Sequence, residues 1–334
     1  MNKKFVFTSK LSPYIEGLLR EKEHKGLLKR NGFKWIMLEF DKFYVENNIQ
    51  NVYIKQEIIA KWRNTRVNDS SRTIYNKLSA WRQLARYMCS IGIESYVVRL
   101  PKNGAKNLYK PYIFTHHEMD KIFSVSDQLR IRVRNAQVIM FVIPALIRLL
   151  YSTGIRIGEA LEIRNKDIDF EKKCIRIKGA KNYTERLAAI NDSLLLVLQQ
   201  FKKFRDRIPI DNILLPDHYF FISHLGKKCN DETTRKWFYE ILRFCGIGQQ
   251  TGGNSPRLHD LRHTAAVHGL MKMIENNTDI YCALPVISNF LGHKKVSSTE
   301  VYVRLTKEAF PHIINPQMMV SSVFPKINLL NNRL

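Results

Sequence analysis

From residue 11 to residue 100, apolar side chains recur at helical spacing. Phe33, Ile36, Met37, Phe40, Phe43 and Tyr44 form one stripe; Ile74, Leu78, Trp81, Leu84, Ala85 and Met88 form another. A chain patterned this way must build helices that bury one face against each other. Asp69, Ser70 and Ser71 offer a cap for the second stripe. The pattern stops at residues 100–107, where Pro101, Asn103, Gly104 and Asn107 stand among lysines, the composition of an exposed linker. It restarts after Thr115, with Glu118 placed for a capping box. The stretch from Val138 to Leu150 is the most apolar in the chain, but it is too short to span a bilayer and contains Pro144 and Arg148, so it reads as a buried core helix. One interval changes period. Residues 174–178 alternate, residues 186–190 can pair with them, and residues 179–184 make the turn. Asn191, Asp192 and Ser193 then cap an apolar helix. The expectation is a mainly α fold with a small antiparallel β-sheet. Its domains are a helical one over 1–106, a linker over 107–114, a mixed α/β one over 115–310, and a tail over 311–334. A length of 334 residues suits two cores.

Charge narrows the partner. Lys and Arg number 54 against 30 Asp and Glu, a net +24. Residues 1–110 hold 22 basic and 9 acidic side chains, so the excess is spread through folded segments and not held in a tail. That footprint points to a large polyanion. The polar face of the second helical stripe carries Arg72, Lys77, Arg82 and Arg86, which reads as a phosphate-facing DNA-binding surface; Tyr75 and Trp81 beside it offer stacking. Five scattered cysteines without a C-x-x-C pair indicate reduced thiols, not a disulfide framework or a zinc ribbon. No long apolar run follows Met1, so no signal peptide is expected, and a cytoplasmic, non-membrane protein is.

Four clusters carry chemistry. In the first, Arg156 follows a Gly turn and Glu159 lies three residues on, sharing its helix face. Arg156 comes directly after the apolar helix and is expected to be partly buried, with Glu159 orienting its fork toward a phosphate. The second is Lys181 in the hairpin turn, with Lys178 as a rival. The third places His259, Arg262 and His263 on one helix. The His-x-x-x-His spacing also matches zinc proteases, but Asp260 stands where their Glu should be, no third ligand is evident and Arg262 would repel a divalent cation. The fourth runs from Leu291, Gly292 and His293 to Tyr302: Gly292 ends a helix, and residues 297–299 cap the next, which carries Tyr302. A phenol held among histidines and arginines suggests attack on a phosphate.

The order Arg…Lys…His-x-x-Arg…His…Tyr resembles the tyrosine recombinase (phage integrase) family. The resemblance rests on Thr153 to Glu159, Leu258 to Thr264, and Leu291-Gly292-His293 with Tyr302 nine residues later. It covers residues 115–310, while 11–100 is similar to the family's core-binding domain. It implies a two-domain C-shaped clamp around double-stranded DNA with a specific core site, and a protein that is monomeric when free and tetrameric in the synaptic complex. Arg156 and Arg262 would grip the scissile phosphate, Tyr302 would form a 3′-phosphotyrosyl bond, and His259 would move the phenol proton. Lys181 would protonate the leaving 5′-hydroxyl, His293 would donate to the phosphate, and Glu159 and His263 would support them. No nucleotide cofactor and no metal is needed. Departures are Ala180 before the lysine, Ala189-Ile190 after the hairpin, and a longer interval between Arg262 and His293, with residues 275–279 as an extra loop. The tail, with Phe310, Ile313, Ile314, Met318, Met319, Val320, Val323 and Phe324, is too apolar to stay solvated and packs either on its own domain or on a neighbouring protomer. Alternatives to an integrase or transposon recombinase are a type IB topoisomerase-like relaxing enzyme and a non-catalytic DNA-binding protein.

Overall fold

The computed structural model describes residues 5–28, 31–101, 110–129, 138–178, 185–248, 255–293 and 298–309. The chain divides into two compact units, Met1–Leu108 and Tyr109–Leu334. The first unit is helical: α1 (Ser12–His24), α2 (Gly32–Glu46), α3 (Gln56–Asn64) and α4 (Ser71–Ser90). Ser70 caps α4 through a side-chain bond from the Thr73 amide, as its position before the stripe predicts. The two stripes meet in an aromatic core. Phe40 stacks on Trp81 at 3.8 Å, and Trp62 stands edge-on to both. The N-terminal segment is fastened by Asp41, a buried carboxylate on α2 that accepts from the amides of Thr8 and Ser9 at 2.9 Å each.

The second unit begins with α5 (His116–Asp127), capped by the full Thr115–Glu118 box. Next come α6 (Ile139–Thr153) and the single turn α7 (Ile157–Ala160). A 3₁₀ turn at Asn165–Asp167 leads into β1 (Ile168–Asp169), β2 (Cys174–Lys178) and β3 (Glu185–Ala189). Among the described residues these strands form one antiparallel sheet in the order β1-β2-β3, with Ile175 opposite Ala188 and Ile177 opposite Arg186. The hairpin was legible in the alternation of residues 174–178; β1, two residues long, has no period to detect. Asn191 caps α8 (Asp192–Arg205), and α9 (Asp231–Cys245), α10 (Asp260–Glu275), α11 (Ile280–Leu291) and α12 (Glu300–Ala309) complete the unit.

Helix α10 is the axle of this unit. It packs against α6, α11 and α12, and buries Leu261, Ala265, Ala266, Val267 and Leu270. The expected extra loop at 275–279 is a tight turn: Asn277 takes positive φ, and Asp279 caps α11 by accepting from the Tyr281 amide at 2.8 Å. Among the described residues no helix is long and apolar enough to cross a membrane.

Trp81→Ala should destabilise the first unit by about 3–5 kcal/mol, the usual cost of deleting a buried large aromatic. Urea unfolding followed by tryptophan fluorescence checks this, and a loss below about 1 kcal/mol would contradict the packing described.

Candidate active site

Two helix ends create the site's floor. Helix α6 stops at Gly154 and α11 at Gly292, each in the left-handed conformation with φ +59° and +64°. A Cβ at Gly154 would fall 2.8 Å from Phe290, so glycine serves both the turn and the close approach of α11. The carbonyls left at these ends face one guanidinium. Arg262, 3% exposed, donates Nη1–H to the Gly154 oxygen at 2.6 Å and Nη2–H to the Leu291 oxygen at 2.8 Å. Burial and the nearby Arg156 pull its pKa down to about 10, so it is still charged at neutral pH. Helix C-termini carry partial negative charge and suit a buried cation, yet they supply no full counter-ion.

Arg156 and Glu159 are paired, but the burial is the reverse of the expectation. Glu159 is the buried partner, with its side chain 4% exposed, whereas the Arg156 side chain is 45% exposed. The carboxylate is drawn in because it has three donors. Its Oε1 accepts from Arg156 Nη1 at 2.8 Å, and its Oε2 accepts from the Arg156 amide at 3.0 Å and from Arg186 Nη2 at 2.9 Å. Burial works against its charge; the bonds from Arg186 and Arg156 more than offset this and hold its pKa below the ordinary carboxylate value. Arg186, on β3, was not foreseen, because no local pattern links it to a glutamate 27 residues upstream.

Tyr302, 2% exposed, sits on the first turn of α12 against α10. Its oxygen shares a 3.1 Å hydrogen bond with Nδ1 of His263. The resemblance assigns this contact to His259, but the helix phase gives it to His263. His259 is the residue preceding α10, and its ring stands edge-on to His263 at 5.0 Å. His293, just past Gly292, stacks parallel to Tyr302 at 6.2 Å, and its Nδ1 is 3.0 Å from Thr299 Oγ1. Thr299, fully buried, also accepts from the Tyr302 amide at 2.9 Å, so it ties the histidine to the tyrosine's helix. Burial raises the Tyr302 pKa while Arg262 pulls it down. Burial and surrounding arginines lower His259 and His293 to about 4; burial and the neighbouring His259 lower His263 to about 3. All three imidazoles are therefore neutral at pH 7.

Lys181 lies outside the described residues. Its rival Lys178 pairs with the buried carboxylate of Asp167 at 2.9 Å. Among the described residues, no group of three or more His, Cys, Asp or Glu is placed to hold a metal ion. In the first unit, Arg72 and Arg86 are exposed on α4, and Arg82 is half-buried. Lys77 is not a free cation: Glu39 and Asp69 hold it at 2.7 and 2.8 Å, with 13% of its side chain exposed.

Residues 113–309 match the sequence model of the phage integrase family. The chain belongs to the tyrosine recombinase (phage integrase) family. Among its relatives is the tyrosine recombinase XerC of Chlamydia caviae, 28% identical over 260 residues, which covers 73% of this chain and 74% of the relative. The fold of this chain is similar to that of XerH site-specific recombinase bound to palindromic difH substrate in a post-cleavage complex: TM-score 0.63 and 21% identity, over 92% of this chain and 83% of the other. A lambda integrase tetramer bound to a Holliday junction is also similar, with TM-score 0.61 and 15% identity over 88% of this chain and 76% of the other.

The histidines set a pH response for this recombinase in the absence of DNA. Their folded pKa values lie below the unfolded value of about 6.5, so the unfolded chain binds more protons between these limits. Their contribution is complete above pH 6.5 and is lost as pH falls toward 4 and 3. Melting temperature should drop over that window, and less steeply in His263→Gln than in wild type; parallel curves for the two proteins would contradict the assignment.

Proposed function

We propose that this site-specific recombinase cuts and rejoins duplex DNA through a 3′-phosphotyrosyl bond on Tyr302. One observation carries the reading: three guanidinium groups, Arg156, Arg186 and Arg262, gather around one carboxylate, Glu159, beside a buried tyrosine. Such a surplus of positive charge calls for an anion, and a scissile phosphodiester supplies it. Arg156 is the exposed member and grips one non-bridging oxygen. Arg262 gives two of its five N–H donors to carbonyls and also bonds the Tyr302 oxygen, and its remaining donors serve the phosphate. His293 donates a further bond.

The Tyr302 oxygen attacks phosphorus and the bond to the 5′-oxygen breaks. With Nε2 of His263 carrying the ring proton, Nδ1 takes the phenol proton, and His259 stands beside it. The departing oxygen needs an acid, which we assign to Lys181; the ion pair of Lys178 with Asp167 supports this choice. One ester replaces another, so strand exchange needs no nucleotide. The helical unit 1–106 is the core-binding domain and the unit from 115 to 310 the catalytic one, joined by 107–114. The two close as a clamp on the duplex, with Arg72, Arg82 and Arg86 as phosphate contacts of the first and Lys77 mainly bracing α4. Four copies act together at synapsis, which the likeness to a lambda integrase tetramer on a Holliday junction supports; the tail 311–334, outside the described residues, packs either on its own domain or on a neighbouring protomer. An integrase or transposon recombinase in the cytoplasm fits these features.

The test uses nicked duplexes bearing a randomised core, from which wild type selects and covalently traps its site. Tyr302→Phe should bind the recovered site with unchanged affinity and form no adduct. Absence of an adduct with wild type would defeat the enzymatic reading, and relaxation of supercoils without joining two duplexes would favour a topoisomerase. Binding should also weaken steeply with salt, by about 10³–10⁵ between 50 and 200 mM for six to ten phosphate contacts.

A further inference from the structure

Arg186 stands within the site, and its guanidinium is turned to Glu159. Its guanidinium donates to both oxygens of Glu159, Nη2 to Oε2 at 2.9 Å and Nη1 to Oε1 at 3.4 Å. Its side chain is 18% exposed. The buried Nε has no hydrogen-bond partner among the described residues, because it lies flat against the turn of Gly292. A Cβ at position 292 would come within 2.7 Å of Nε and 2.8 Å of Cδ and Cζ. The glycine that ends α11 is thus also the seat of Arg186.

The consequence is electrostatic. If Glu159 served Arg156 alone, the pair would be neutral and Arg156 would offer a phosphate little net attraction. A second guanidinium on the same carboxylate changes this: Glu159 still fixes Arg156 by one bond from its guanidinium and one from its backbone amide, but the trio carries a net positive charge. We propose that Arg186 is a positioning residue for phosphate neutralisation, seated by Gly292 and acting through Glu159 so that Arg156 is both oriented and left electrostatically free. The proposal rests on the reading of Arg156 as a phosphate-gripping group.

The experiment compares single-turnover adduct formation on two nicked duplexes of the site recovered with wild type. One has an ordinary scissile phosphodiester and the other a methylphosphonate there, which carries no negative charge to neutralise. Arg186→Met keeps length but removes charge and donors. It should slow cleavage of the phosphodiester by about 10–100-fold, the scale on which misplaced groups act. It should cleave the methylphosphonate within about threefold of wild type, and Arg186→Lys should fall between on the phosphodiester. Because Arg186 acts through Glu159, adding Arg186→Met to Glu159→Gln should produce little further loss. The double variant has no buried unpaired carboxylate and serves where the single one fails to fold. Equal slowing on both substrates, wild-type cleavage of the phosphodiester, or additive losses in the double variant would each overturn the proposal. Failure of wild type to form any adduct would instead overturn the reading beneath it.

Discussion

The whole site depends on how a buried arginine is held without a full negative charge beside it. Arg262 is clasped by the carbonyls of Gly154 and Leu291, at the C-terminal ends of α6 and α11. These ends meet only because glycines in the left-handed conformation stop both helices and let them approach. Hydrogen bonds to two helix termini occupy two of the guanidinium's five donors and leave its charge standing. Burial first, and then that charge, keeps His259, His263 and His293 neutral, and the same charge pulls down the pKa that burial raises at the Tyr302 phenol. The same interaction that closes the fold therefore leaves positive charge beside Tyr302, which the proposed phosphate reading requires.

The order of parts also explains why residues so far apart in sequence act together. Helix α10 carries His263 and Arg262, α12 carries Tyr302, and the turn after α11 carries His293. Thr299 joins the last two by bonding the histidine ring with its hydroxyl and the tyrosine amide with its carbonyl. Histidine and tyrosine are thus coupled at both backbone and side chain, which limits how far Tyr302 can stray from its partners.

Local signals were readable in the sequence. The caps at Ser70, Thr115 and Asn191 are short-range bonds, and the chain states them in adjacent residues. Strand 174–178 declares itself by alternation and 186–190 as its pairing partner, observed as Glu185–Ala189; the apolar run ending near Thr153 shows by composition. What was not readable is long-range. The proximity of Arg156 to an apolar helix suggests that the arginine is buried; the structure buries Glu159 because Arg186 arrives from another strand. His259 and His263 are four residues apart and equivalent in pattern, and only the packing of α12 on α10 gives the phenol to His263. Lys77 matches the polar stripe of α4 but is taken by Glu39 and Asp69, a pairing that needs the α2–α4 contact to be seen.

In the proposed reaction, the charge surplus around Arg262 delivers a phosphate to Tyr302 and to no other nucleophile. Peptide mapping of the covalent protein–DNA adduct by mass spectrometry tests it most directly. A nucleotide remnant is expected on the peptide containing Tyr302, attached through the phenol oxygen. A remnant on any other residue, the neighbouring histidines included, would contradict it.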